Sequence, residues 1–211
     1  MKNLLIIGAR GFGRKVFSLA ETSIGYNKDF IIKGFLDDYT IALDDFDNYP
    51  EIVSSVEDYI VQDNDVFVCA LGDVVWKKKY IEMILKKGGK FTNLIHPSCI
   101  INTNVQLGVG NIFFNGVTIC NDSIINNFIS IQSNTVVGHD TKIEDFCHIN
   151  SFSFTGGYSI IHNEVTLHTR ATVLPRIQVY QKSIVGAGAV VNKNVLEGTT
   201  VVGVPAKPIK E

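Results

Sequence analysis

The sequence predicts two architectures in one chain: a small Rossmann-like parallel α/β unit, then an all-β left-handed parallel β-helix of hexapeptide repeats. Three observations carry this. An apolar residue recurs every six positions from Ile101 to Val191, and the phase never slips. Small or β-branched residues mostly occupy the position two before it. The chain before His96 lacks the repeat and alternates short apolar runs with helical patterns.

The ladder has sixteen positions, starting Ile101, Leu107, Phe113 and Ile119. Fifteen are aliphatic or Phe, and Thr155 is the single break. With 45% of the chain hydrophobic, chance would give about seven. Two positions earlier stand residues such as Val117, Ser123, Thr135, Thr141, Cys147 and Ala171. Glycine follows the apolar residue at Gly108, Gly138, Gly156 and Gly186. An α-helix repeats at 3.6 and a half-buried strand at 2. A period of six, with one large aliphatic, one small inward residue and a turn, is one flat face of a hexapeptide β-helix. Three such faces make a triangular coil of about eighteen residues, so the ladder spans about five coils.

Before the ladder, Lys2–Ile7, Phe30–Leu36, Asp65–Leu71 and Phe91–Ile95 read as strands, and Arg14–Glu21 and Trp76–Lys87 as helices. Strands alternating with helices imply a parallel sheet. Gly88-Gly89 stops the second helix. The expected domains are 1–96 and 97–211, and the tail Val201–Pro208 is expected to fold back along the last coils.

Composition narrows the function. The chain has 211 residues, 19% charged, with a formal net charge of −2. It can bury a core, and no basic stripe points to nucleic acid. The apolar start is broken by Gly8 and Arg10, and no later apolar run is long enough to span a bilayer. The expectation is a soluble, cytoplasmic protein without a membrane span. Cys69, Cys99, Cys120 and Cys147 form no CxxC pair, so neither metal site nor redox motif is expected.

Gly8, Gly11 and Gly13 fall between the first strand and the first helix. Glycines there let backbone approach a phosphate at a helix N-terminus. Asp37 ends the next strand, where a carboxylate can accept from a ribose or base. Three readings are open: a nucleotide-sugar site, a dinucleotide site or a structural tight turn. The order GxxGxG and the short unit count against a dinucleotide. Among five histidines, His139 stands out. It follows Val137-Gly138 in mid-ladder, precedes Asp140, and lies one coil below Gly157. A histidine beside a carboxylate, with glycine backbone above it, suits a general base with room for a thioester. His148 is half a coil further on. It is expected to meet His139 only across a threefold interface.

Several stretches together resemble a known family: IIGARGFGRKV, GFLDD, NLIHPSCI, VVGHDTKIEDFCHIN, SIVGAGAVVNKNV and VVGVPAKP. The chain resembles the bacterial sialic acid O-acetyltransferase-like sugar acetyltransferases, over nearly its whole length. Members N-acetylate the 4-amino group of UDP- or dTDP-linked amino-dideoxy sugars for surface polysaccharides. The resemblance implies acetyl-CoA as donor, no metal, and a homotrimer. It implies His139 as general base, oriented by Asp140. It implies acetyl-CoA contacts at His148, Thr169 and Ala187, beside Gly157 from the spacing. It implies nucleotide-sugar contacts at Arg10, Gly11, Phe12, Asp37, Asp38 and Gly72. Gln132, Val75 and Phe12 depart from the family pattern and bear on which sugar and base are bound. Two other readings remain: O-acetylation of a sialic acid or other sugar hydroxyl, and a non-catalytic β-helix binding subunit.

Overall fold

The computed structural model describes residues 1–209. The chain divides into two compact units, Met1–Pro97 and Ser98–Glu211.

The first unit is a five-stranded, all-parallel sheet: β1 (Lys2–Ile7), β2 (Phe30–Leu36), β3 (Ile52–Ser54), β4 (Asp65–Cys69) and β5 (Lys90–Phe91), in the order β3-β2-β1-β4-β5. The central strands are apolar on both faces, as a covered parallel sheet requires. Leu4 to Ile7 are fully buried, as are Phe67 and Val68. Helix α1 (Gly11–Thr22) begins at the glycine turn itself, three residues before the expected start. Helix α2 (Val74–Lys86) also begins early, because the Asp73 carboxylate caps it, accepting from the Trp76 N–H at 3.0 Å. β3 was not anticipated; three residues carry no readable period. The expected strand Phe91–Ile95 is two, Lys90–Phe91 on β4 and a separate Leu94–Ile95.

Gly8 and Gly13 are forced by the turn. Gly8 has φ +96°, and a Cβ on Gly13 would lie 2.0 Å from the Gly8 carbonyl oxygen. The obstacle is backbone, so it cannot rotate away. Gly13→Ala should therefore cost about 1–3 kcal/mol, read as a lower midpoint in denaturant unfolding.

In the second unit the strands from Ile100–Ile101 to Val190–Val191 are each two residues long, and neighbours within a face pair in parallel eighteen residues apart. Three faces result. The first carries Thr118–Ile119, Val136–Val137, Phe154–Thr155 and Thr172–Val173; the second Ile124–Ile125, Lys142–Ile143 and Ile160–Ile161; the third Ser130–Ile131, His148–Ile149 and Thr166–Leu167. This is the left-handed β-helix expected from the period. The ladder residues fill its interior: Ile119, Val137, Ile143, Ile149, Ile161 and Leu167 are fully buried, and so is Thr155. The small residues two positions earlier point inward too. Several of their polar members find partners there. Ser123 donates to the Gly138 carbonyl (2.9 Å), Thr135 to Asn150 (3.0 Å) and Ser153 to His168 (3.1 Å), each on the coil above. Cys147 is fully buried among them, its thiol on the His162 carbonyl, which disqualifies it as a nucleophile. Burial likewise pushes the Cys69 thiol up to about 12.

At each corner the chain turns through a left-handed residue. Every sixth position from Asn104 to Gly188 has φ between 55° and 71°. Asn, Asp and Gly suit that region, but Phe128, Phe146, Phe152, Tyr158, Arg170 and Arg176 occupy it as well. The tail folds back as expected: Thr200–Val202 extends the third face, and Lys207–Pro208 returns antiparallel to it.

Candidate functional sites

Each unit carries one site. In the first, the loops at the C-terminal ends of β1, β2 and β4 enclose a cavity of about 610 Å³. That is where open α/β sheets place ligands. Arg10, Phe12, Asp37, Asp38 and Gly72 line it, as sequence reasoning named them. Gly11 does not; it opens α1 on the exposed side. Both acidic residues are already engaged. Asp37 accepts from the backbone N–H groups of Ala9 (2.8 Å) and Tyr39 (2.9 Å), which locks the glycine turn to the end of β2. Asp38 accepts from the Val56 N–H at 3.2 Å and from the Tyr80 hydroxyl. Burial and the Asp38 charge push the Tyr80 phenol up, so it remains a donor.

Sequence reasoning missed the aromatic lining: Tyr39, Trp76 and Tyr80. Arg10 lies over the Tyr39 ring at 5.2 Å, and the Trp76 and Tyr80 rings are 5.7 Å apart. Trp76 is half exposed at the mouth. A half-exposed Trp on a loop-facing helix was the available signal. Cation, aromatic planes, glycine turn and helix N-terminus together suit a phosphorylated ligand with a planar ring.

The second site is the corner between the first and second faces. His139 follows the strand Val136–Val137 and precedes Lys142–Ile143, so it stands at that corner, its side chain 59% exposed. Its Nδ1 is 2.8 Å from Asp140 Oδ2. With Nδ1–H donating to the carboxylate, the Nε2 lone pair is available. Asp140 reaches back because its own backbone is left-handed, φ +55°. Gly157 sits directly above, as the eighteen-residue spacing predicts: a Cβ there would lie 2.7 Å from both Cε1 and Nε2 of His139. Tyr158 meets the imidazole edge-on, centroids 5.2 Å apart at 89°, and Arg176 lies over the Tyr158 ring at 4.7 Å. Neither residue was anticipated. An oriented imidazole, open on one edge beside glycine backbone, can accept a proton from an attacking nucleophile.

The other predicted contacts lie elsewhere on the prism. His148 is on the third face, between Ser130 and Thr166. Its Nε2 is 3.1 Å from the Gln132 amide nitrogen, which also donates to Asn150 Oδ1 at 2.9 Å. Thr169 and Ala187 are exposed at the corner between the third and first faces, linked by the Gly188 N–H to the Thr169 carbonyl (2.9 Å). Within one chain these residues do not converge on His139.

These geometries agree with known proteins. Residues 3–84 match the model of the PglD N-terminal domain. The structure of PerB from Caulobacter crescentus, in complex with CoA and GDP-perosamine, superposes with a TM-score of 0.89 at 25% identity, covering 100% of this chain and 98% of that one. The acetyltransferase domain of PglB from Neisseria gonorrhoeae, in complex with acetyl coenzyme A, gives 0.88 at 25% identity, covering 99% of both chains. Among curated sequences, a serine acetyltransferase of Buchnera aphidicola is 35% identical over 119 residues, 56% of this chain and 40% of that protein. A putative acetyltransferase of Bacillus subtilis, YvoF, is 32% identical over 84 residues, 38% of this chain and 46% of that protein. The chain thus spans less than half the length of these curated relatives. It joins a match to the PglD N-terminal domain with a β-helix that superposes on those of known acetyltransferase structures.

Proposed function

We propose that this protein transfers the acetyl group of acetyl-CoA to the 4-amino group of a nucleotide-linked amino-dideoxy sugar, with His139 as general base. The observation that carries the reading is the His139–Asp140 pair, bonded at 2.8 Å directly beneath Gly157. In the reaction the sugar amine attacks the thioester carbonyl carbon, and its proton passes to Nε2 of His139. The tetrahedral intermediate collapses, the C–S bond breaks, and the imidazolium returns the proton to the CoA sulfur. Products are the amide and free CoA thiol. Asp140 orients the imidazole and stabilises its protonated form. Gly157, lacking a side chain, leaves the imidazole room to keep its place against the backbone of the next coil.

The nucleotide belongs to the first unit, on Arg10, Phe12, Asp37, Asp38 and Gly72, with the glycine turn and the N-terminus of α1 facing phosphate. Gly11 contributes through that turn rather than the cavity lining. His148, Thr169 and Ala187 are assigned to acetyl-CoA. Their separation from His139 on the prism supports a homotrimer in which neighbouring copies complete each site. Dilution through the trimer's dissociation range should then abolish turnover; a fully active monomer in light scattering would end the shared-site model. Among the described residues no helix is long and apolar enough to cross a membrane.

The test is CoA-thiol release with UDP-, dTDP- and GDP-linked 4-amino sugars and free sialic acid; the guanine carrier joins because PerB was solved with GDP-perosamine. Turnover of a 4-amino sugar nucleotide is expected. Turnover only of a hydroxyl acceptor would replace this reading with O-acetylation.

A further inference from the structure

The residue above Asp140 in its corner column is an aromatic one that faces His139. The column runs Asn104, Asp122, Asp140, Tyr158, Arg176, all in the left-handed region. Its first three members are the types that tolerate that backbone, because a short polar side chain can bond locally. Tyr158, with φ +61°, is not of that type, and it is 48% exposed. Large side chains such as Phe152 and Arg170 take the same left-handed corner elsewhere, so the backbone does not single Tyr158 out; its contacts do.

What the ring does is touch His139. Its edge-on contact at 5.2 Å is one tie. A second is the backbone: the Tyr158 N–H donates to the His139 carbonyl at 3.1 Å. Arg176, one coil further, lies over the Tyr158 ring at 4.7 Å and steadies it. The imidazole is therefore fixed by Asp140 at Nδ1, by Gly157 above its Cε1–Nε2 edge, and by Tyr158 beside it. Without Tyr158, the ring could rotate about its bond to Asp140 while keeping that bond.

We propose that Tyr158 is a positioning residue that sets the plane of the His139 imidazole through its edge-on ring contact and its backbone bond to the His139 carbonyl. The inference rests on the reading of His139 as general base. Replacing Tyr158 should improve the backbone and damage the chemistry, the opposite of what a structural residue does.

The experiment measures kcat, KM for acetyl-CoA and thermal midpoint for Tyr158→Asn, Tyr158→Phe, Lys182→Asn and His139→Ala. Lys182 is exposed and left-handed (φ +58°) in a different corner column. Tyr158→Asn should lower kcat about tenfold, with KM within about twofold and a midpoint at or above wild type. Tyr158→Phe, which keeps the ring edge, should retain kcat. Lys182→Asn should gain in midpoint with kcat unchanged. Wild-type kcat in Tyr158→Asn while His139→Ala is inactive overturns the positioning role alone. So does a Tyr158→Asn loss of kcat accompanied by a lower midpoint. Full activity in His139→Ala overturns the base assignment, and the positioning role with it.

Discussion

His139→Ala is expected to lose about 10²–10⁴-fold in kcat while KM for both substrates stays near wild type. The split follows from what the imidazole does. It takes a proton that is released only as the C–N bond forms, so its contribution belongs to the transition state and not to substrate binding. An amine attacks without full prior deprotonation, which keeps the loss finite. Stability should be untouched: the side chain is 59% exposed, and surface truncations usually change folding by less than about 0.5 kcal/mol. Thiol-release kinetics beside thermal unfolding reads both quantities. Wild-type kcat in the variant would remove His139 from the chemistry.

Gly157→Ala should be nearly as damaging, from a single methyl group. Its Cβ would lie 2.7 Å from Cε1 and Nε2 of His139 and 3.2 Å from Cδ2. Real atoms cannot share that space, so the imidazole must swing outward and give up its bond to Asp140. The backbone at Gly157, unlike Gly188, is outside the left-handed region, so alanine carries no conformational penalty of its own. Only the flexible ring stands in the way. The expected result is a loss of about 10²-fold in kcat with stability within about 0.5 kcal/mol of wild type. The same methyl group at Gly138 or Gly156 would meet backbone instead, at 2.6 Å from the Thr155 oxygen or 2.5 Å from the Pro175 nitrogen. Those variants should unfold more easily. Steady-state kinetics with chemical denaturation separates the two classes. In the double variant Gly157→Ala/His139→Ala the methyl group should add almost nothing, because its target is gone.

The solenoid was legible because its interior is one-dimensional. Each coil asks for the same large residue at the same place, so Ile119, Val137 and Leu167 announce the period at once. Thr155 breaks the pattern in composition but not in position; it is as buried as its neighbours. The His139–Gly157 relation was also legible, since residues eighteen apart must stack. Tyr158 and Arg176 obey the same spacing, but an aromatic ring and a guanidinium in a left-handed turn do not look like turn residues. Chain order alone gives no sign that the ring reaches sideways to His139. In the first unit, Lys2–Ile7 and Phe30–Leu36 had long apolar runs, whereas β3 had three residues and no pattern. Asp37 was picked out for its place after β2. Its actual bonds, to the N–H groups of Ala9 and Tyr39, depend on the turn closing back on itself and could not be read from spacing. Trp76 and Tyr80 fall four apart on α2, so they share a helix face, and that face lines the cavity while Lys77, Ile81 and Ile84 are buried.

The acetyl group is proposed to pass from sulfur to a sugar nitrogen. Proton NMR and mass spectrometry of the product formed from acetyl-CoA and a 4-amino sugar nucleotide test it most directly. One added acetyl group is expected, joined as an amide at the 4-amino nitrogen and formed only when His139 is present. An ester on a sugar hydroxyl, or an equal yield of amide from His139→Ala, would contradict this transfer.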